Sequence, residues 1–379
     1  MTAMNDERAD DQRTGAPYAS AAAFGNLAGD GAETNRVPAD PPPTTAFDVA
    51  YEGALLRLRH YEPEAPPRGP PVLLVHSLFK RPYVLDLLPD RSIVRSFLRQ
   101  GFSVYLTDWL PPSSADAQRG LHDYVERELA NAVECIRHRE RVRRVGLVGC
   151  CLGGFVASVY AALHPQKVER LVVFALPFES RPPFVPAAAE YLVRLYGNVP
   201  AWWIRAGLNV RVADPRRLPD FLAAELGEPE LAQLTEGSEA VALQQALETW
   251  FGSDVPFAGR LFLEVMGDAY GRGQFAASRL MVGEQRVVLE RIRCPVLNVC
   301  AEHDKLVPVE DSLAFVKQVG NREASSLVFA CGHLGLMLSR AAHANLWPHV
   351  GEWLGGDTDA VRRVLGDGAP DAAVGRSAG

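Results

Sequence analysis

The chain has 379 residues and a formal net charge of −7. This length can bury the full core of an α/β domain, and the acidic balance argues against non-specific binding to nucleic acid. Its six cysteines are too scattered for a disulfide framework and form no C-x-x-C pair of the kind that holds zinc. We therefore expect no metal site. The amino-terminal stretch is polar, and no apolar run of about 18 residues occurs, so we also expect a cytoplasmic protein with no membrane span.

Both ends of the chain have compositions that are typical of disorder. Residues 1–43 are rich in Ala, Gly, Asp and Pro and end in three prolines, and residues 356–379 are rich in Gly, Ala and Asp. Such segments bury too little apolar surface to offset the entropy lost on ordering. We therefore predict a disordered segment over 1–43, a folded domain over 44–355 and a flexible tail over 356–379.

The first part of the folded domain alternates strand patterns with helix patterns. Apolar and polar residues alternate on either side of Glu52-Gly53, which predicts a β-hairpin over 47–60. The run VLLVH at 72–76 predicts a buried strand. The next elements are predicted as a helix over 92–100 that ends at Gly101, a strand over 103–108 and a helix over 121–138.

A glycine-rich turn follows the next predicted strand. The apolar run 145–148 leads into Gly149-Cys150-Cys151-Leu152-Gly153-Gly154 and then into a predicted helix over 152–163. This order of strand, turn and helix is the context of a G-x-S-x-G nucleophile elbow, here with cysteine in place of serine. We expect that Gly149 and Gly153 leave room for a crossing chain that a Cβ atom would block.

Only one of the two neighbouring cysteines has the right register for the nucleophile. Cys151 has a glycine two residues away on each side, whereas Cys150 is flanked at that distance by Val148 and Leu152. The elbow would place the Cys151 thiol at the start of a helix, where a thiolate is favoured. We predict that Cys151 is the nucleophile and that Cys150 is a small buried apolar residue.

The alternation stops after a strand predicted over 168–176. Residues from about 178 to 292 are mostly helical in pattern and rich in aromatic residues, and the alternation then resumes with strands over 295–301 and 325–330 and helices over 311–319 and around Trp347 and Trp353. Parallel strands with helical crossovers, interrupted by an insertion, predict an α/β-hydrolase fold: a mostly parallel, doubly wound sheet with a helical cap over about 178–292. We expect the cap aromatics to form its own core, with a product tunnel or a dimer face as the alternative; they are Tyr191, Tyr196, Trp202, Trp203, Trp250 and Phe251.

A thiol nucleophile needs a base, and the base needs an acid to orient it. In this fold the acid precedes the histidine in the chain, and both lie at the carboxyl ends of strands. Asp304 and His333 follow the last two predicted sheet strands and are our predicted acid and base. His303 is the rival base, and Asp108 is the rival acid.

Backbone N–H groups are the expected donors to the oxyanion that forms during acyl transfer. One donor should be Leu152, directly after the nucleophile, and the other should come from the loop after the VLLVH strand, at Ser77 or Leu78. His76 could act as a general acid, but a structural role in orienting this loop is favoured.

Several further motifs make the sequence resemble the polyhydroxyalkanoate synthases, most of all the short class III type, over about residues 49–354. These motifs are RPYVLDL (81–87), GF (101–102), VYLTDW (104–109), GCCLGG (149–154), AALHP (161–165), Trp250, DVP (254–256), CPVLNV (294–299), Asp304, LVP (306–308) and GHLG (332–335). A cysteine elbow joined to the Arg-Pro-Tyr and Asp-Trp motifs makes the resemblance specific.

The resemblance implies an acyltransferase that polymerises (R)-3-hydroxyacyl-CoA with release of CoA. Cys151 would carry the growing chain as a thioester, and His333 would deprotonate thiols and hydroxyls. Asp304 would either support His333 or activate the incoming 3-hydroxyl; the high pKa of a hydroxyl favours the second role. The resemblance implies no cofactor beyond the CoA thioester substrate, a second non-catalytic subunit and a homodimer as possible partners, and a place in the cytoplasm or on polyester granules.

Two other functions remain compatible with the sequence. The first is a hydrolase with a cysteine nucleophile, such as an intracellular polyhydroxyalkanoate depolymerase or an acyl-CoA thioesterase. The second is a catalytically inactive granule-bound relative, against which the intact set of Cys151, Asp304 and His333 argues. Because one fold hosts many reactions, fold alone does not choose between synthase and hydrolase.

Overall fold

The structure, a computed structural model, describes residues 40–179, 186–201, 218–226, 230 and 238–365. Most of the predicted disordered segment, the last part of the predicted tail, and the cap residues Trp202 and Trp203 lie outside these residues. The division into a domain over 44–355 with a cap over about 178–292 stays a prediction.

An eight-stranded sheet forms the centre of the protein, with the strand order β1-β2-β6-β3-β7-β8-β11-β12. In this order, each strand from β6 through β3, β7, β8 and β11 to β12 pairs in parallel with the next. The pairs β1–β2 and β2–β6 are antiparallel. This arrangement confirms the predicted mostly parallel sheet of an α/β-hydrolase fold. Its strands are β1 (Asp48–Glu52), β2 (Leu56–Tyr61), β3 (Val72–Val75), β6 (Val104–Trp109), β7 (Val145–Cys150), β8 (Val168–Phe174), β11 (Val296–Ala301) and β12 (Ser325–Phe329).

The central strands are buried on both faces because helices cover both sides of the sheet. Every residue of β3, β6, β7 and β11 is buried, as the apolar runs at 72–76 and 145–148 predict for β3 and β7. The helices of the core are α1 (Ile93–Arg99), α2 (Ala130–Arg139), α3 (Leu152–Leu163), α8 (Val309–Leu313), α9 (Gly335–Leu338), α10 (Trp347–Leu354) and α11 (Ala360–Leu365). A π-helical segment, His122–Leu129, runs into α2, and the two together bury Tyr124, Leu129, Val133 and Ile136.

The described parts of the chain between β8 and β11 add no strand to the central sheet. They contain the helices α4 (Pro186–Tyr196), α5 (Leu218–Leu226), α6 (Ser238–Phe251) and α7 (Gly259–Phe262), the last of which continues as the π-helical segment Leu263–Gly271. A small antiparallel pair, β9 (Met281–Val282) and β10 (Gln285–Arg286), also lies here and is not predicted by the sequence patterns. Another small pair, β4 (Asp86–Leu88) and β5 (Arg91–Ser92), precedes α1.

The aromatic residues of this insertion divide into two groups. Trp250 is buried, and its indole N–H donates to the carbonyl oxygen of Arg81 at 2.9 Å. Tyr191 and Tyr196 on α4 are 63% and 51% exposed. The expectation of a cap core therefore holds for Trp250 and is wrong for Tyr191 and Tyr196.

Ordered residues extend into both of the terminal segments that the sequence predicts to be disordered. Asp40 is paired with the buried guanidinium groups of Arg59 and Arg81, at 2.7 Å each. At the other end, α11 buries Ala360 and Val361 against the core. Charge pairing and apolar contact supply the ordering energy that the local composition lacks. No helix within the described ranges combines the length and the apolar character needed to cross a lipid bilayer.

A buried group of four charges joins the amino-terminal segment to the sheet. Asp108 on β6 has no exposed surface and pairs with Arg59 of β2 at 2.6 Å and with Arg81 at 3.0 Å. Asp40 completes the group, which therefore holds two positive and two negative charges. Removing one partner of such a group leaves an uncompensated buried charge, which is more costly than the loss of a surface pair.

We expect Asp108→Asn to lower the free energy of unfolding by about 3–5 kcal/mol, because two guanidinium groups then share one carboxylate in a buried place. Urea denaturation of the purified protein measures this change. The control is Glu52→Gln, which breaks the exposed pair with Arg57 and should cost less than about 1 kcal/mol. Similar losses in the two variants would contradict the structural role of the buried group.

Candidate active site

Cys151 occupies a strained turn between β7 and α3. Its backbone has φ 51° and ψ −121°, a conformation that residues other than glycine rarely adopt. A Cβ atom on Gly149 would lie 2.5 Å from the Cα atom of Gly154, and one on Gly153 would overlap the carbonyl oxygen of Val75. These contacts confirm the steric reason for the two glycines of the predicted elbow.

The two neighbouring cysteines have different surroundings. Cys150 ends β7, is 2% exposed and packs its sulfur 3.7 Å from that of Met337. Burial raises the pKa of the Cys150 thiol well above its usual value. Cys151 is only half-buried. The prediction that Cys150 is a buried apolar residue is therefore confirmed.

The structure brings His333 and Asp304 together, as predicted. His333 lies in the loop after β12 and Asp304 in the turn after β11, and the two strands are parallel neighbours. The Nδ1 atom of His333 is 2.7 Å from Oδ2 of Asp304. The Cys151 thiol lies close enough to this imidazole to contribute to its raised pKa. Because Nδ1 faces the carboxylate, Nε2 is the atom available to the thiol.

The carboxylate of Asp304 is held at both of its oxygen atoms. Its Oδ1 accepts the backbone N–H groups of Leu306 and Val307 at 2.8 Å each, while Oδ2 faces His333. The side chain is 1% exposed. Its position is thus fixed by its own turn, with Oδ2 facing the histidine.

The pKa of His333 reflects this arrangement. Burial lowers the pKa of the imidazole, but the negative charge and the hydrogen bond of Asp304, with a smaller contribution from Cys151, more than offset this effect. The pKa of His333 is therefore well above its usual value. A protonated imidazole beside the thiol is the form that supports a thiolate.

The rival acid and base do not join this group. His303 is exposed, although it immediately precedes Asp304 in the chain. Asp108 is committed to the buried charged group with Arg59 and Arg81. The geometry therefore favours His333 and Asp304 over their rivals.

The predicted oxyanion donors lie on two segments that meet beside Cys151. Leu152 is the first residue of α3, so its N–H lacks a partner within the helix. The close approach of Gly153 to Val75 brings this helix end against the loop that contains Ser77. Ser77 is 5% exposed, and its hydroxyl has no hydrogen-bond partner among the described residues.

His76 is placed as a structural residue of the same loop. It is 2% exposed, and burial lowers its pKa to about 3, so it is neutral at physiological pH. Its Nδ1 atom is 3.1 Å from the carbonyl oxygen of Ser77, and its own carbonyl oxygen accepts the indole N–H of Trp109 at 3.0 Å. These bonds support the loop-orienting role rather than that of a general acid.

Sequence reasoning did not identify three contributions from the insertion. Tyr270 lies close to Cys151, and its buried hydroxyl donates to the carbonyl oxygen of Pro177 at 2.9 Å. Glu225 of α5 contacts the loop of His333, and Asp254 pairs with Lys80 of the loop after β3. Asp254 belongs to the DVP motif of the resemblance, so the sequence marked this residue without giving its partner. Tyr270 and Glu225 belong to no motif that the sequence analysis identified.

The described residues contain no group of three or more His, Cys, Asp or Glu side chains that could hold a metal ion. All six cysteines are free.

A family model of the alpha/beta hydrolase fold matches residues 70–339. This match spans the elbow and both partners of the histidine pair.

Several curated relatives of the chain are named poly(3-hydroxyalkanoate) polymerase subunit PhaC. The protein of Haloferax mediterranei is 34% identical over 319 residues, which cover 82% of this chain but only 63% of that relative. The one of Haloarcula marismortui is 32% identical, with 82% of this chain and 67% of the relative covered. The one of Allochromatium vinosum is 31% identical, with 81% and 87% covered.

Among solved structures, the monoacylglycerol lipase of Paleococcus ferrophilus matches with a TM-score of 0.53 and 18% sequence identity. The match covers 79% of this chain and 98% of the lipase. At this identity the similarity supports the fold alone.

The raised pKa of His333 predicts how stability depends on pH. Protonated His333 stabilises the folded state; this contribution is fully present below the unfolded pKa of about 6.5 and is lost as pH rises through the higher folded pKa. We expect the stability difference between wild type and His333→Gln to shrink steadily above about pH 6.5. Denaturant unfolding at a series of pH values measures it, with His303→Gln, an exposed histidine outside the pair, as the control. A difference that grows with pH would contradict the assignment.

Proposed function

The chain belongs to the alpha/beta hydrolase fold family and, within it, to the poly(3-hydroxyalkanoate) polymerase subunits PhaC, and we propose that it polymerises (R)-3-hydroxyacyl-CoA through a thioester on Cys151. The observation that carries this proposal is a cysteine at the nucleophile elbow with a histidine–aspartate pair beside it. A thiol suits this substrate, because exchange between two thioesters is nearly isoenergetic. No metal or further cofactor is needed, since CoA enters as part of the substrate.

In the proposed loading step, His333 takes the proton of the Cys151 thiol, and the thiolate sulfur attacks the carbonyl carbon of the acyl-CoA. A new carbon–sulfur bond forms to Cys151, and the carbon–sulfur bond to CoA breaks. The departing CoA thiolate receives the proton from His333 and leaves as free CoA. The raised pKa of His333 supports its role as the proton carrier.

In the proposed elongation step, the 3-hydroxyl of an incoming 3-hydroxyacyl-CoA attacks the Cys151 thioester. His333 accepts the hydroxyl proton, an ester bond forms, and the bond to the Cys151 sulfur breaks. The sulfur leaves as a thiolate and regains the proton from His333. The product is an acyl-CoA that is one unit longer and can load Cys151 again.

Both steps pass through a tetrahedral oxyanion. We assign its stabilisation to the backbone N–H groups of Leu152 and Ser77, with Leu78 as the alternative to Ser77. What supports this assignment is the close approach of α3 to the loop after β3. The buried Ser77 hydroxyl, which has no partner among the described residues, is a further donor in the same place.

The decisive experiment supplies the purified full chain with 3-hydroxybutyryl-CoA, in the presence and absence of a second synthase subunit. We expect polymer to form, with one CoA released for each monomer that is incorporated. Free 3-hydroxybutyrate would instead identify a depolymerase-like or thioesterase-like hydrolase. Cys151→Ala should lose turnover, and the matched control Cys150→Ala should retain most of it, because the Cys151 thiol influences the imidazole of His333 whereas the Cys150 sulfur packs on Met337. Equal losses in two folded variants would contradict the choice of nucleophile.

Of the two roles left open for Asp304, the geometry favours support of His333. Its side chain is 1% exposed and both oxygens are already engaged, so a substrate hydroxyl has no oxygen of Asp304 to approach. This differs from the expectation based on the high pKa of a hydroxyl.

Asp304→Asn should therefore slow the loading of Cys151 and the elongation of the chain to a similar extent, by about 100-fold or more, because both steps depend on the orientation and basicity of His333. Rapid-quench detection of the labelled acyl-enzyme measures loading, and CoA release together with polymer measures elongation. Normal loading with failed elongation would instead indicate direct activation of the hydroxyl.

We also propose a second, non-catalytic subunit, a homodimer, and a place in the cytoplasm at the surface of polyester granules. The resemblance to the class III type supports these assignments.

A further inference from the structure

A buried glutamate of the insertion is bonded to the loop that carries His333. The Oε2 atom of Glu225, in α5, accepts the backbone N–H of Leu334 at 2.6 Å and that of Gly335 at 3.3 Å. The backbone oxygen of Glu225 accepts the N–H of Gly332 at 3.0 Å. The loop is thus bonded to one residue on both sides of the histidine.

The two glycines of the GHLG motif make this contact possible. A Cβ atom on Gly332 would overlap the carboxylate of Glu225, and one on Gly335 would overlap its backbone oxygen. Neither glycine has a positive φ, so the close approach of Glu225 rather than backbone conformation explains them. The motif around the histidine is therefore shaped to receive a residue 109 positions away in the chain.

The hydrogen bonds to Glu225 restrict the orientation of the His333 imidazole. Leu334 follows His333 in the chain, so fixing its N–H restricts the backbone from which the ring extends. His333 must satisfy two partners at once, with Nδ1 on Asp304 and Nε2 towards Cys151. Glu225 is itself 7% exposed, which keeps water from competing for the two N–H groups.

A second glutamate provides a natural comparison. Glu230 accepts the backbone N–H of Arg340 at 3.0 Å and pairs with the buried Arg91 at 2.7 Å. It therefore attaches the same part of the insertion to the core, but its bonds are to Arg340, beyond α9, and to Arg91 in β5, and not to the residues beside His333. Loss of Glu230 weakens the attachment without removing a bond from the histidine loop.

We propose that Glu225 is a positioning residue for the reaction, which holds the His333 loop so that the imidazole faces Cys151. Its action depends on the reach of the side chain and on an oxygen acceptor, rather than on its negative charge. The inference rests on the roles assigned above to His333 and Cys151.

Three substitutions separate reach from charge. Glu225→Gln keeps the length and an acceptor oxygen, Glu225→Asp keeps the charge but is one methylene too short, and Glu225→Ala removes both. The backbone bond from Gly332 to the oxygen of Glu225 is retained in all three. The first readout is the pH profile of Cys151 alkylation by iodoacetamide, which reports the Cys151–His333 pair without any polymerisation. The second is kcat and KM for 3-hydroxybutyryl-CoA.

We expect Glu225→Gln to stay within about threefold of wild type, and Glu225→Asp and Glu225→Ala to alkylate about tenfold more slowly or worse, as the loss of hydrogen bonds to a buried acceptor implies. Their kcat should fall by a similar factor while KM changes little, because substrate contacts are not removed. Glu230→Ala should lower the thermal midpoint as Glu225→Ala does, yet alkylate at the wild-type rate.

Three outcomes would overturn the proposal. The first is slow alkylation of Cys151 in Glu225→Gln with a normal rate in Glu225→Asp, which would indicate a role of charge. The second is alkylation in Glu230→Ala that is as slow as in Glu225→Ala, which would indicate general loosening of the insertion. The third is alkylation at the wild-type rate in Glu225→Ala. His333→Gln tests the premise separately: if it leaves alkylation of Cys151 unchanged, the assigned catalytic pair fails, whatever Glu225 does.

Discussion

The close approach between the start of α3 and the end of β3 is the constraint on which the site depends. It exists only because Gly153 leaves space for the carbonyl oxygen of Val75, and Gly149 leaves space for Gly154. The same approach forces Cys151 into its strained conformation and brings the N–H of Leu152 towards the loop of Ser77. The proposed nucleophile and the proposed oxyanion donors therefore depend on the same packing contact.

The insertion between β8 and β11 contributes to both halves of the site. On one side, Lys80 of the loop after β3 pairs with Asp254 and donates to the carbonyl oxygen of Phe251 at 3.1 Å. On the other side, Glu225 binds the loop of His333. The insertion is thus a structural part of the candidate active site.

The motifs that make the chain resemble the synthases are not all catalytic. Arg81 and Asp108 belong to the buried charged group that also includes Arg59 and Asp40. Trp250 donates to the backbone oxygen of Arg81, so two distant motifs meet at one place. Their common role is to join the amino-terminal segment, the sheet and the insertion.

The sequence by itself determined the features that neighbouring residues encode: strand and helix periods, the elbow, and the choice of Cys151 over Cys150, which follows from glycine spacing. It also indicated Asp304 and His333, because chain order in this fold places them at adjacent strand ends. Only the tertiary structure decided the role of Glu225, the pairing of Asp108 and the order of Asp40. These depend on partners far apart in the chain, such as Glu225 and Leu334, 109 residues apart, whose meeting no local pattern encodes.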